Sequence, residues 1–135
     1  MAQLIDTSVF IELERRRQPP DALRGVVTGE PPAMSAITAA ALLLGVERAD
    51  SLARRRQRQQ YVDAILATVP IVPFDLTVAR VHAQVAAALF ATGQPIGPHD
   101  LPSAAAALAY GHSVLTHNLR EFARVPGLTV RQPRW

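Results

Sequence analysis

Apolar residues in this chain fall into short unbroken runs and longer stretches with helical spacing, and the alternation between the two marks out its elements. Ala2 to Ile5 is a short apolar run that ends at Asp6. Behind it, Thr7 and Ser8 are N-cap candidates for a helical pattern through Val9, Phe10 and Leu13 into Arg15–Arg17. The reading is strand, turn, helix. A shorter piece, Asp21 to Val27, lies between Pro19-Pro20 and Gly29, and Pro31-Pro32 close it. Ala33 to Ile37 then reads as a second buried strand, with Thr38 capping a helix from Ala39 to about Ala49.

Ser51 can cap a long helix through Val69, Ile71 to Phe74 is a brief extended segment, and Asp75 caps a helix from Leu76 to about Ala91 that Gly93 stops. Gln94 to His99, with Pro95, Gly97 and Pro98, must be a loop. Asp100 begins an alanine-rich helix that ends at Gly111. Ser113 to Thr116 is another strand, His117 to Phe122 a turn and short helix, and Leu128 to Val130 a last edge strand. Short apolar strands alternating with helices predict an α/β fold with a mostly parallel sheet covered on both faces. In such sheets ligands bind outside the carboxyl ends of the strands.

Composition narrows the chemistry. At 135 residues and 49% hydrophobic, the chain has matter for one domain, 1–135, and its 19% charged residues exclude the signature of disorder. No apolar run reaches the length of a membrane span, and the N-terminus lacks the basic-then-apolar layout of a signal peptide, so a cytoplasmic protein is expected. Without cysteine, disulfides, thiolate chemistry and cysteine metal sites are excluded, leaving carboxylate, imidazole and hydroxyl groups. All 14 basic residues are arginine, for a formal charge of +3. Arginine forks suit phosphates, although a GC-rich genome also favours arginine over lysine.

The strand-end rule picks out an acidic set. Asp6 follows the first strand, Asn118 and Glu121 follow the Ser113–Thr116 strand, and Asp100 opens the helix leading into that strand. Carboxylates converging on one cleft stay ionised only with a cation between them, and hard oxygen donors without cysteine select Mg²⁺ or Mn²⁺. Singly, each has an ordinary role: Asp6 and Asp100 as helix caps, Glu121 as a solvated acid.

Four sequence blocks carry a resemblance that runs nearly end to end. LIDTSVFIE, SAITAAALLLGVERA, PIGPHDLPSAAAALAYG and VLTHNLREFARVPGLTV resemble, in order and spacing, the VapC toxin family of PIN-domain ribonucleases from type II toxin–antitoxin modules. The resemblance implies a three-layer α/β/α domain that holds Mg²⁺ or Mn²⁺ and cuts RNA. By match, Asp6 and Asp100 are metal carboxylates, Asn118 and Glu121 complete the site, and the hydroxyls of Thr7, Ser8 and Thr116 orient water or a carboxylate. The implied partners are a VapB-type antitoxin, an RNA substrate with tRNA preferred over ribosomal RNA, and a second copy of the chain. A homodimer is also expected from the apolar stretches Leu42–Val46 and Val78–Ala88, which exceed what one small domain can cover.

The sequence departs from the family at one telling place. Members usually read Thr-x-x-Glu-Leu where this chain has Thr38-Ala39-Ala40-Ala41-Leu42. With Thr38 as cap, a glutamate at 41 would be both the capping-box partner and a site carboxylate, and alanine can be neither. Such a residue fits a deliberate inactivating substitution, with a natural degenerate copy as the competing explanation. Glu47 lies six residues on, about 240° around the helix from Ala41, and cannot replace it. Pro102 is the second departure, expected to alter the pose of Asp100 slightly. Asn118, an acid in many members, is asparagine in some.

The other signals are weaker. His82, His99, His112 and His117 lack HxxxH or HxH spacing for zinc, and His99 and His117 read as rim residues near RNA. Arg54, Arg55, Arg56 and Arg58 either grip phosphates or an acidic antitoxin tail or form a solvated helix face. An aspartyl-phosphate enzyme would need Asp-x-Asp, and position 8 is serine. Two functions therefore stand: a metal-dependent endoribonuclease toxin attenuated by Ala41, and a non-catalytic RNA- or antitoxin-binding pseudo-enzyme.

Overall fold

Each inner strand sends alternate side chains to opposite helical layers, which is why its whole run is apolar. In the computed structural model, which describes residues 1–27 and 29–135, Leu4 of β1 (Gln3–Ile5) enters one core and Ile5 the other. Ala33 and Met34 of β2 (Pro32–Ser35) divide in the same way, as do Val114 and Leu115 of β4 (Ser113–Leu115). With β3 (Ile71–Val72) and β5 (Val130–Arg131) these strands form one sheet in the order β3-β2-β1-β4-β5, every pair parallel.

One helical layer holds α1 (Thr7–Arg15), α2 (Leu23–Val26), α3 (Ala36–Glu47) and α4 (Leu52–Thr68). The other holds α5 (Leu76–Ala91), α6 (Asp100–Tyr110) and α7 (Leu119–Phe122). The expected three-layer α/β/α arrangement is present. Because the strand order reverses direction at β1 and β4, the crevice between their carboxyl ends is the sheet's switch point. Ile5 is in register with Leu115, and the Asp6 N–H donates to Leu115 O at 2.9 Å, so Asp6 and Thr116 leave the sheet side by side.

Several predicted helix ends hold. Ser51 Oγ accepts from Arg54 N and Asp75 Oδ1 from Val78 N. Gly111, at φ 69°, takes the left-handed conformation that ends α6 and lets His112 N reach Ala107 O at 2.8 Å. Pro102 is buried at the third position of α6, where a missing N–H costs no intrahelical bond, and the helix still starts at Asp100.

Other boundaries move. β2 ends at Ser35, and Ser35, not Thr38, caps α3: its backbone is still extended and paired with Val72, and its Oγ accepts from Thr38 N at 3.2 Å. Thr38 is thereby the third helical residue and Ala41 stands a turn further in, so a glutamate at 41 would have no capping role. α1 begins at Thr7 without a side-chain cap, because Ser8 donates to the Asp6 carboxylate instead. The segment at Ile71 is a paired strand, and the last strand lies at Val130–Arg131. The stretches expected to be apolar surface are split, with Leu42, Val46, Val78 and Val85 in the cores. The exposed apolar residues there are Leu43 and Leu44, with Leu76 and Phe90 near the ends of α5.

Ser35 also meets Ser103 of α6, Oγ to Oγ at 2.8 Å, and is 3% exposed. Ser35→Ala should therefore destabilise the fold by about 1–2 kcal/mol, more than Ser51→Ala at an exposed cap. Urea denaturation of both variants checks this, and an equal or larger loss for Ser51→Ala would mean that the buried serine pair adds nothing.

Candidate active site at the carboxyl edge of the sheet

Asp6 is only 6% exposed. A carboxylate taken from water in this way needs donors, and two hydroxyls supply them to the same oxygen: Ser8 Oγ at 2.6 Å and Thr116 Oγ1 at 2.8 Å from Oδ2. Ser8 comes from the first turn of α1 and Thr116 from the end of β4, so strand pairing fixes one donor and helix geometry the other. The hydroxyls are in turn held by backbone N–H groups, His117 N on Ser8 Oγ at 3.3 Å and Asn118 N on Thr116 Oγ1 at 2.8 Å.

Asp100, Asn118 and Glu121 form the second half. The Asn118 amide donates to Asp100 Oδ2 at 3.0 Å and to Glu121 Oε2 at 2.5 Å, tying the start of α6 to α7. Desolvation raises the Asp100 pKa to about 7, helped by hydrogen bonding to Glu121 and by repulsion from Asp6 and Glu121. Glu121 moves down because Asp100 and Asn118 donate to it. The opposite directions are those of two interacting acids of which the more desolvated, Asp100, favours the neutral form. Asp6 is thus near enough to Asp100 to repel it, as a shared crevice requires.

Among the described residues no arginine or histidine forms an ion pair with Asp6, Asp100 or Glu121. Oxygen donors gathered at one edge, with only Arg124 near enough to favour the charge of Glu121, suit a hard divalent cation. The fit is incomplete, since among the described residues no three His, Asp or Glu side chains are grouped as a ready metal cage. Ala41 borders a groove of about 450 Å³ together with Thr7, the residue after Asp6, and Thr7 Oγ1 reaches Thr38 Oγ1 at 3.4 Å. A side chain at 41 therefore shares a wall with the neighbour of Asp6. Glu47 is elsewhere, paired with Arg55 at 2.5 Å.

The structure brings Asp6, Ser8, Asp100, Thr116, Asn118 and Glu121 together, and Thr7 lies at the edge. The histidines are dispersed: His112 Nδ1 accepts from Ala2 N, His82 meets Phe74 edge-on, and His99 precedes α6. Of the arginine run, Arg54 is paired with Asp50, Arg55 with Glu47 and Arg58 with Glu14, so much of its charge is spent within the protein. Gly97, which the sequence marks as the start of the Gly-Pro-x-Asp block but assigns no role, lies so that a Cβ there would come within 3.7 Å of Asp100 Oδ2 and 3.9 Å of Glu121 Oε2.

A five-stranded parallel sheet between two helical layers, with its buried acid at the switch point, is the class of open α/β protein that works at that crevice. Within this class, the PIN domain family matches residues 4–128. Ribonuclease VapC of Rickettsia bellii is 30% identical over 130 residues, covering 96% of this chain and 95% of that protein. The tRNA(fMet)-specific endonuclease VapC of Salmonella typhimurium is 35% identical over 97 residues, 72% of this chain and 71% of that one. Among solved structures, the DNA-bound VapBC of Salmonella typhimurium superposes with a TM-score of 0.85 at 28% identity, over 98% of each chain. FitAcB from Neisseria gonorrhoeae gives 0.81 at 27% identity over 94% of each chain. The chain belongs to the PIN-domain family and to its VapC branch.

The raised pKa of Asp100 has a direct consequence for stability without metal. An unfolded Asp100 ionises near 3.8 and the folded one near 7. Its contribution to folding is therefore complete below pH 3.8 and is lost as pH rises to about 7. In EDTA, the stability of the wild-type protein relative to Asp100→Asn should decline across that window. A difference that stays constant with pH would show that Asp100 titrates normally.

Proposed function

We propose that the protein is the ribonuclease of a toxin–antitoxin pair, an Mg²⁺- or Mn²⁺-dependent endoribonuclease attenuated by Ala41. One observation carries this reading: Asp6, buried at the sheet's switch point and held by Ser8 and Thr116, is accompanied at the same edge by Asp100 and Glu121 joined through Asn118. Asp6 and Asp100 would hold the ion, which when bound supplies a water acidic enough to attack phosphorus and positive charge for the departing oxygen. Ser8 and Thr116 aim one oxygen of Asp6 by donating to it, while Asn118 keeps Asp100 and Glu121 from swinging into solvent. Glu121 would complete the site beside Asp100 through their shared contact with Asn118.

Transfer RNA is the preferred substrate, a choice supported by the named activity of the Salmonella relative. A VapB-type antitoxin is the proposed partner, supported by the VapBC complexes among the structural neighbours. Among the described residues no helix is long and apolar enough to cross a membrane. A second reading, a pseudo-enzyme that binds RNA or antitoxin without cutting, is favoured by Ala41 and by the lack of three grouped acids.

Ala41→Glu separates the two. In Mg²⁺ or Mn²⁺, cleavage of total tRNA should rise by about 10- to 100-fold over the Ala41 protein, vanish in EDTA, and vanish again when Asp6→Asn is added. If the Ala41 protein already cuts as fast as Ala41→Glu, position 41 has no part in the site. If neither cuts, the pseudo-enzyme reading stands.

The homodimer rests on exposed apolar side chains that one copy leaves in water, Leu43 and Leu44 on α3 and Phe90, 73% exposed, on α5. Light scattering at micromolar concentration should return twice the chain mass, and a monodisperse monomer would remove the dimer from this account.

A further inference from the structure

Ser8, Glu12 and Arg16 stand four residues apart and run along one face of α1 from the crevice outward. Trp135 lies beside this stripe. The Arg16 guanidinium carbon is 4.6 Å from the indole centroid, and Arg16 Nε is held by Glu12 Oε1 at 3.1 Å. On its other edge the indole Nε1–H donates to His117 Nε2 at 3.0 Å, with the two rings inclined by 9° and their centroids 5.5 Å apart. The indole N–H joins the two rings at their edges and holds them nearly parallel, so the pair presents adjoining aromatic surface.

That surface begins at the site. His117 follows Thr116, which holds Asp6, and its own N–H donates to Ser8, which holds Asp6 as well. His117 is exposed and Trp135 is 42% exposed, so the paired rings are not packed into a core. Trp135 also borders a groove of about 350 Å³ with Arg16 and Arg134 on its walls.

We propose that the His117–Trp135 pair, backed by Arg16, is a nucleobase platform that holds one unpaired base of an RNA strand beside the acidic crevice. The identity of the strand as substrate rests on the ribonuclease reading; the capacity to stack a base does not. Every base has a π face, and a single strand presents it without the cost of opening a duplex. Arginine over the indole adds a cation to the stack, and the arginines of the groove suit the flanking phosphates. A base seated there fixes the register of the strand, and so the phosphate that enters the crevice. The two rings are therefore positioning residues.

Trp135 is the sole tryptophan, so its fluorescence reports this surface alone. The test uses full-length protein carrying Asp6→Asn, in Mg²⁺, titrated with an unstructured oligoribonucleotide of about ten nucleotides. RNA should quench Trp135. In anisotropy with labelled RNA, Trp135→Ala and His117→Ala should each weaken binding by about 5- to 100-fold, and Trp135→Phe, which keeps a ring, should recover most of the loss. An abasic site at the stacked position should reproduce the defect of Trp135→Ala. Absence of quenching, or unchanged affinity in Trp135→Ala, would overturn the platform whether or not Ala41→Glu cuts RNA. Quenching by the cognate antitoxin alone, without RNA binding, would overturn it too. If RNA quenches and the ring variants lose affinity while Ala41→Glu cuts nothing, the platform stands and the ribonuclease reading fails.

Discussion

A carboxylate buried at the switch point of the sheet is the constraint around which the rest of this molecule is arranged. Asp6 can lose its water only because Ser8 and Thr116 donate to it, and they reach it only because α1 starts directly after β1 while β1 and β4 run in register. Leu4 and Ile5 anchor that strand in two different cores, so the backbone beneath Asp6 has no freedom to relax. The same placement brings Asp6 near enough to repel Asp100. Burial, hydrogen bonding to Glu121 and repulsion from Asp6 and Glu121 raise the Asp100 pKa to about 7, which lowers the charge that the crevice carries.

Much of this was legible in the sequence because it depends on local chemistry. Strand, acid and hydroxyl in succession set Asp6 at the edge, and Ser51, Asp75 and Gly111 end their helices in the expected way. The failures share one cause. Ser35 and Thr38 are equally good caps on paper, and only pairing of Ser35 with Val72, which keeps it in the strand, decides between them. Ile71–Val72 is too short to announce itself and is a strand solely because β2 lies beside it. Ser8 looked like a cap and is diverted by a carboxylate two residues away. Trp135 and His117 are 18 residues apart and carry no periodicity, so nothing but the fold brings their rings together.

The arginines illustrate how composition misleads about charge. A formal +3 and a basic run on α4 suggest a surface built for polyanions. In the folded chain Arg54, Arg55 and Arg58 each meet an acid, and Arg58 also donates to Gly45 O, so the run ties α4 to α3 and α1. Exposed pairs of this kind add little stability, about 0–1 kcal/mol each, but they draw down the field that a phosphate would feel. Attraction for a polyanion is left to arginines with free donors near the crevice, and Arg134 beside Trp135 has no side-chain acid among the described ion pairs.

Ala41 links stability and function through the same electrostatics. Burial and repulsion from Asp6 and Glu121 already raise the Asp100 pKa, and a further carboxylate on α3 would add to that repulsion. Alanine relieves that repulsion, suits the helix and leaves the Ser35 cap untouched. Compared with a glutamate, it leaves less negative charge on the groove wall that it shares with Thr7. Under the proposed ribonuclease reading, alanine at 41 would lower both the repulsion among the acids and the attraction for a cation, because the two are measures of one local charge.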